Sequence, residues 1–274
     1  MATATQAKNE GHARTSYAAV MRAKHIQSQN AGQCGNSHEH GPRPLGERIK
    51  MDYVFQLRRA LPIAARKPGQ QARFMKQYRD HYFLKAKREN YPARSVYKLK
   101  ELDAKFRLLR KGQKVLDLGA APGSWSLDAA EKVGPHGLVL ACDLQAVDTA
   151  FPPQVVFMQE DVFNRSADFE ARLDEFGPFD AVLSDMAPRT TGIRCTDQAR
   201  SLELAEEALA LACLRLKKGG NFVVKIFMGP DVQSLLTAMR KRFASVTSFK
   251  PKSSRSESRE TFLVGIDFQK STPD

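Results

Sequence analysis

The sequence predicts an α/β fold, a mostly parallel sheet with helices on both faces. Three observations predict it. From residue 114 onward, short apolar runs alternate with stretches of helical periodicity. The first of these runs enters a turn of glycine and proline, and a later one, NFVVKIF (221–227), is apolar almost throughout. Repeated strand–helix units of this kind bury their strands on both sides.

Residues 1–74 read as a basic extension. The stretch 27–46, QSQNAGQCGNSHEHGPRPLG, is rich in Gly, Asn, Gln and His and has little apolar surface to bury. A short helix is predicted within 53–65. Cys34, His38 and His40 are ligand types, but three of them in such a segment are read as a solvated tail, and no metal is expected. Met75 is a candidate start, which would make residues 1–74 an upstream over-read.

The domain is expected over 75–270, led by a basic segment, 75–110, with aromatics among its lysines and arginines. After Pro92, the apolar residues Val96, Leu99, Leu102, Phe106 and Leu109 follow a 3.6-residue period, which predicts a helix from Ser95 to Leu109. Strands are then predicted at 114–118, 138–143, 155–158, 179–184, 221–227, 244–249 and 260–268. Helices are predicted at about 124–132, 167–176, 197–216 and 230–243, the third of them stopped by Lys217-Lys218-Gly219-Gly220.

The 274 residues carry a net charge of +13, unevenly placed. Residues 1–74 hold 12 Lys/Arg against 4 Asp/Glu, residues 75–110 hold 11 against 4, and residues 111–274 hold 20 against 22. A nearly neutral core preceded by a basic segment points to a polyanionic partner, nucleic acid first. No apolar run approaches the ~18 residues of a membrane span. The four cysteines show no CxxC pair, as in a reducing cytoplasm.

The sharpest local signal is VLDLGAAPGSW (115–125), a strand running into Gly119, Ala120, Ala121, Pro122 and Gly123 before a helix. Small residues let a ligand lie on the backbone at the carboxyl end of the strand. The spacing Gly119-x-x-x-Gly123 lacks the third glycine of a dinucleotide site, and Asp117 suits a cationic ligand better than a pyrophosphate. Asp143 ends the second strand, where a carboxylate can take both hydroxyls of a ribose. Asp161, just past the third, could accept an adenine amino group.

ARSVYKL (93–99), DLGAAPGSW (117–125), ACDL (141–144), SDMAP (184–188), GGNFVVKIF (219–227) and KPKSSRSESRETFLV (250–264) follow in that order. With them the sequence resembles the FtsJ/RrmJ family of ribose methyltransferases from about Met75 to Phe268. The resemblance implies a Rossmann-like methyltransferase with a seven-stranded sheet, six strands parallel and one reversed near the carboxyl terminus. It implies a catalytic tetrad of Lys98, Asp185, Lys225 and Glu260, and S-adenosylmethionine held by Gly119, Gly123, Trp125, Asp143, Asp161 and Asp185. Ser124 departs from the family, which often has a second glycine there.

The residues argue for the same group on their own. Lys225 interrupts an apolar run, where a buried ammonium is costly unless paired. Base duty would ask its pKa to fall from ~10.4 toward ~7–8. Asp185 follows a strand at its carboxyl end. Arg94 and Lys98, with Arg255 and Arg259 of SSRSESR, would face RNA, and Tyr78, Tyr82 or Tyr97 would either stack on a base or pack the leading helix.

The resemblance implies methylation of the 2′-hydroxyl of a uridine in 23S ribosomal RNA, in the peptidyl-transferase-centre A-loop of the assembled large subunit. It implies a cytoplasmic monomer acting away from membranes. A transfer-RNA or cap enzyme, a silent RNA-binding assembly factor, and a dehydrogenase are the weaker readings.

Overall fold

The computed structural model describes residues 81–255 and 258–269. The expected extension 1–74, the helix within 53–65, the Cys34–His38–His40 group, the Met75 start and Tyr78 lie outside the described residues.

Two short helices, α1 (His81–Arg88) and α2 (Val96–Phe106), lead into alternating strands and helices. These are β1 (Lys114–Leu118), α3 (Ser124–Val133), β2 (Leu138–Asp143), β3 (Val155–Gln159), α4 (Ala167–Phe176) and β4 (Phe179–Ser184). The chain continues through α5 (Arg194–Arg215), β5 (Leu216–Phe227), α6 (Val232–Arg240), β6 (Phe243–Phe249) and β7 (Glu260–Phe268).

The strands form one seven-stranded sheet in the order β3-β2-β1-β4-β5-β7-β6. The neighbours from β3 through β5 are parallel, and β7 runs antiparallel to both β5 and β6. This is the expected fold, with the reversed strand slotted between β5 and β6. Side-chain alternation divides the core in two. Leu116, Leu118, Leu140, Val182, Phe222 and Val224 face α4, α5 and α6. Val115, Leu183, Val223, Phe262 and Val264 face α2 and α3, whose Leu99, Leu102, Trp125 and Ala129 cover them.

Four boundaries differ from expectation, one of them the helix expected over 230–243, which spans Val232–Arg240 and gives way to β6 at Phe243. The leading helix ends at Phe106, because Arg107 turns left-handed (φ 53°) and Asp103 Oδ1 accepts the Leu109 N–H at 2.9 Å. The long helix begins at Arg194, three residues early, where Asp197 accepts the N–H groups of Thr191 and Gly192. Lys217-Lys218-Gly219-Gly220 is the irregular start of β5: Leu216 pairs with Phe179, and the register shifts before Asn221 meets Ala181. Gly219 holds a φ of +81° in that irregularity, a conformation L residues avoid. Among the described residues no helix is long and apolar enough to cross a membrane.

Candidate active site

Strand direction gathers the charged residues. Parallel β1, β2, β4 and β5 end at one sheet edge, and antiparallel β7 begins there, so Glu260 reaches the edge that Asp185 and Lys225 occupy. Lys225 pairs with Phe262, and Phe227 pairs with Glu260. Positions two apart share a face, so Lys225, Glu260 and Phe262 all lie on the side covered by α2 and α3. Lys98, on α2, stands over the Phe262 ring, 5.8 Å from its centroid.

The four residues form two ion pairs. Lys98 Nζ is 2.6 Å from Glu260 Oε1, and Lys225 Nζ is 2.9 Å from Asp185 Oδ1. The Lys225 ammonium also donates to the Asp185 backbone carbonyl. That carbonyl takes the aligned hydrogen bond; Asp185 Oδ1 makes a close ionic contact without hydrogen-bond alignment. The lysine side chains are 14% and 7% exposed, so both charges depend on these partners. Burial alone would raise the Glu260 carboxyl, but Lys98, the Ser254 hydroxyl and the Lys225 charge outweigh it and hold the group below its usual range. Lys225 thereby joins the two pairs electrostatically.

Beside this cluster lies the glycine turn. Gly119 (φ +80°) passes so close to Met186 that an added Cβ would sit 2.6 Å from its Cγ, and a Cβ on Gly123 (φ +105°) would meet the Phe151 ring at 2.9 Å. Glycine is therefore required where β1 turns into α3, because Met186 and Phe151 close on that backbone, and Gly123 leaves the first-turn amides of α3 without a side-chain cap. A cleft of about 420 Å³ opens here, lined by Ala121, Pro122, Gln145 and Thr149 among others. Asp143 accepts the N–H groups of two of these lining residues, Ala121 (3.0 Å) and Gln145 (2.9 Å), which fix the carboxylate while leaving it further acceptor capacity. Asp161 is oriented the same way by Phe163 N–H and the Asn164 amide. Leu144 and Phe163, close behind these two aspartates, are exposed apolar surfaces.

Asp117 is fully buried beneath the turn. Its Oδ2 accepts the Ser126 hydroxyl at 2.6 Å, and its Oδ1 has no partner. Burial, together with the charges of Asp185 and Asp143 and against the Ser126 hydrogen bond, pushes its pKa up to about 7. An orphaned buried carboxyl facing two more carboxylates favours a cation in the adjoining cleft.

Trp125 plays a packing part through its side chain. Its ring is buried and stacked on Phe262, and its indole N–H donates to the Ser95 carbonyl at 2.9 Å. Its backbone N–H belongs to the uncapped first turn of α3. Tyr97, one candidate for base stacking, is buried too. It packs against Tyr82 (5.3 Å between centroids) and donates its hydroxyl to Glu89.

Ser124 carries a role that the sequence did not reveal. Its Oγ accepts the Ala93 N–H at 2.7 Å, fastening the turn before α2 to the glycine loop. A serine where glycine would serve was the available signal.

A family profile for FtsJ-like methyltransferases matches residues 91–268. The chain belongs to this family. Curated relatives bear the name ribosomal RNA large subunit methyltransferase E, two of them as follows. The one from Nitratidesulfovibrio vulgaris (strain DP4) is 72% identical over 195 residues, which is 71% of this chain and 96% of the relative. The one from Lawsonia intracellularis is 58% identical over 198 residues, covering 72% of this chain and 99% of the relative. A crystal structure of a ribosomal RNA methyltransferase from Plasmodium falciparum superimposes with a TM-score of 0.57 at 29% identity. It spans 65% of this chain and 98% of that one. The methyltransferase fold and the seven-stranded sheet thus agree.

Proposed function

We propose that this methyltransferase transfers the methyl group of S-adenosylmethionine to the ribose 2′-hydroxyl of a uridine in 23S ribosomal RNA, within the large ribosomal subunit. The observation that carries the reading is the meeting of Lys98, Asp185, Lys225 and Glu260 at one sheet edge, where Met186, next to Asp185, packs on the glycine turn. The high-identity relatives named for the ribosomal RNA large subunit support the substrate.

S-Adenosylmethionine supplies a methyl group already activated on a sulfonium. In this reading Asp143 holds the ribose hydroxyls, Asp161 the adenine amino group, and Leu144 and Phe163 the faces of the base. The glycine turn from Gly119 to Gly123 would take the amino-acid part, its carboxylate on the α3 amides and its cationic groups toward Asp117 and Asp185.

An ammonium has three N–H groups, and Lys225 gives one of them to the Asp185 carbonyl while Oδ1 stays in ionic contact. A further N–H points the 2′-oxygen at the methyl carbon, and alignment alone supplies several kcal/mol. Once methyl transfer is under way the 2′-oxygen becomes far more acidic, so a carboxylate such as Asp185 is base enough for its proton. Lys225 is therefore read as a steering group. Lys98 and Glu260 complete the cluster on the RNA side. The RNA faces the basic lip of Lys87, Arg94, Arg255 and Arg259, and a monomer acting in the cytoplasm completes the proposal.

The test uses tritiated S-adenosylmethionine with large subunits, or their deproteinised RNA, from a strain lacking the modification. Label at a uridine 2′-oxygen, lost in Lys225→Ala while the cofactor still binds, is the expected result. Label in transfer RNA alone would replace the substrate. Cofactor binding without transfer to any RNA would leave a silent RNA-binding protein.

A further inference from the structure

Residues 252–254 and Glu260 tie the sheet edge to α2 at two places. At one end Lys98 pairs with Glu260. At the other, Glu101 uses both carboxylate oxygens on the backbone: Oε2 accepts the Lys252 N–H at 2.6 Å and Oε1 the Ser253 N–H at 2.8 Å. The Ser253 carbonyl on the far side of that residue accepts from the Arg94 guanidinium. Ser253 is 1% exposed, unusual for a residue in a connecting loop. Lys98 and Glu101, three apart on α2, share one side of the helix, and Arg94 from the turn before it joins them in gripping one loop.

Between the two grips stands Ser254. Its hydroxyl donates to Glu260 Oε1 at 2.9 Å, the oxygen that Lys98 also contacts. Glu101 fixes the peptides immediately before Ser254 with two charge-assisted hydrogen bonds, so it fixes where that hydroxyl points. Nothing in this arrangement requires Glu101 to touch a substrate.

We propose that Glu101 is a positioning residue for methyl transfer, acting through Ser254 on Glu260 and through Glu260 on Lys98. It also sets the start of the loop that carries Arg255 and Arg259, both exposed beside the reacting edge. The proposal rests on the reading of Lys98 and Glu260 as part of the methyl-transfer site. Without its carboxylate the Lys252 and Ser253 N–H groups lose their acceptors, and the Ser254 hydroxyl is no longer held on Glu260. The Lys98–Glu260 pair then loses the third group that fixes its geometry.

The experiment is a kinetic cycle on the full chain with large subunits, using Glu101→Ala, Glu101→Gln, Ser254→Ala and the Glu101→Ala/Ser254→Ala double variant. Glu101→Ala is expected to lower kcat about 10- to 100-fold, the scale of a misplaced reacting group, with the KM for S-adenosylmethionine changed less than about twofold. Glu101→Gln keeps one acceptor oxygen and falls between it and wild type. Ser254→Ala costs less alone and adds nothing to Glu101→Ala, because the two act in series. Full kcat in both Glu101 variants, or effects that multiply in the double variant, would overturn the proposal. If Glu101→Ala does not fold, the Glu101→Gln cycle decides in its place. Lys98→Ala and Glu260→Ala run alongside: activity kept in both overturns the active-site reading, whereas inactivity there with intact Glu101 variants overturns this proposal alone.

Discussion

Lys98 Nζ lies 2.6 Å from Glu260 Oε1, and this contact joins the helix that leads into the domain to the only reversed strand of the described sheet. Removing one partner leaves the other's charge largely buried, so Lys98→Ala should destabilise the domain by about 1–3 kcal/mol. The Lys98→Ala/Glu260→Gln double variant should recover part of that loss, since no uncompensated charge remains. Urea-unfolding midpoints of the three variants measure the coupling. A double variant as unstable as the sum of the singles would mean that the pair has no mutual contribution.

The same pair predicts a pH dependence. Glu260's folded pKa lies below its usual value of 4.5. A depressed carboxylate contributes fully above the unfolded value and loses that contribution as pH falls through the folded one. The stability gap between wild type and Glu260→Gln should therefore stay level from neutral pH to about 5 and close only in more acid solution. A gap that closes between pH 7 and 5 would place the Glu260 titration elsewhere.

Most strands were legible because each is a local apolar run: 114–118, 138–143, 179–184 and 260–268 stand where the sequence predicts them. The irregular start of β5 was not, since Lys217-Lys218-Gly219-Gly220 carries helix-stop chemistry and only pairing with Phe179 makes it strand. At the site, Lys225 was conspicuous as a charge in an apolar run, and Asp117 as a carboxylate inside the glycine motif. What joins them was hidden. Periodicity reports neighbours along the chain, whereas Ser124 with Ala93, Glu101 with Ser253 and Trp125 with Ser95 are contacts between distant segments.

Ser124 gives a third prediction. Its Oγ is the acceptor for the Ala93 N–H, and a glycine there leaves that N–H without it. Ser124→Gly should cost about 0.5–1.5 kcal/mol, the net worth of one hydrogen bond, offset in part by the room glycine leaves. Its specific signature is local. Hydrogen exchange at Ala93 and the adjoining turn should quicken more than exchange in β1 or β4. Uniform quickening across the sheet would instead mark Ser124 as a general packing residue.

Asp117 gives the last, and its sign is opposite to that of Glu260. Its pKa rises to about 7 from a usual 3.8, chiefly through burial, so the folded state holds a proton that the unfolded chain has lost. Stability should fall as pH climbs from about 4 to 7 and level off above. Asp117→Asn, which keeps the shape and an acceptor for Ser126, should gain on wild type over that interval by up to about 4 kcal/mol. A cationic ligand in the adjoining cleft pulls the other way, since positive charge favours the ionised carboxyl. S-Adenosylmethionine binding at pH 6.5 should therefore release protons, and Asp117→Asn should release fewer. Titration calorimetry in two buffers of different ionisation enthalpy measures the release directly. Equal heats in both buffers at pH 6.5 would mean that the cation of the ligand does not reach Asp117, and that its burial serves the fold alone.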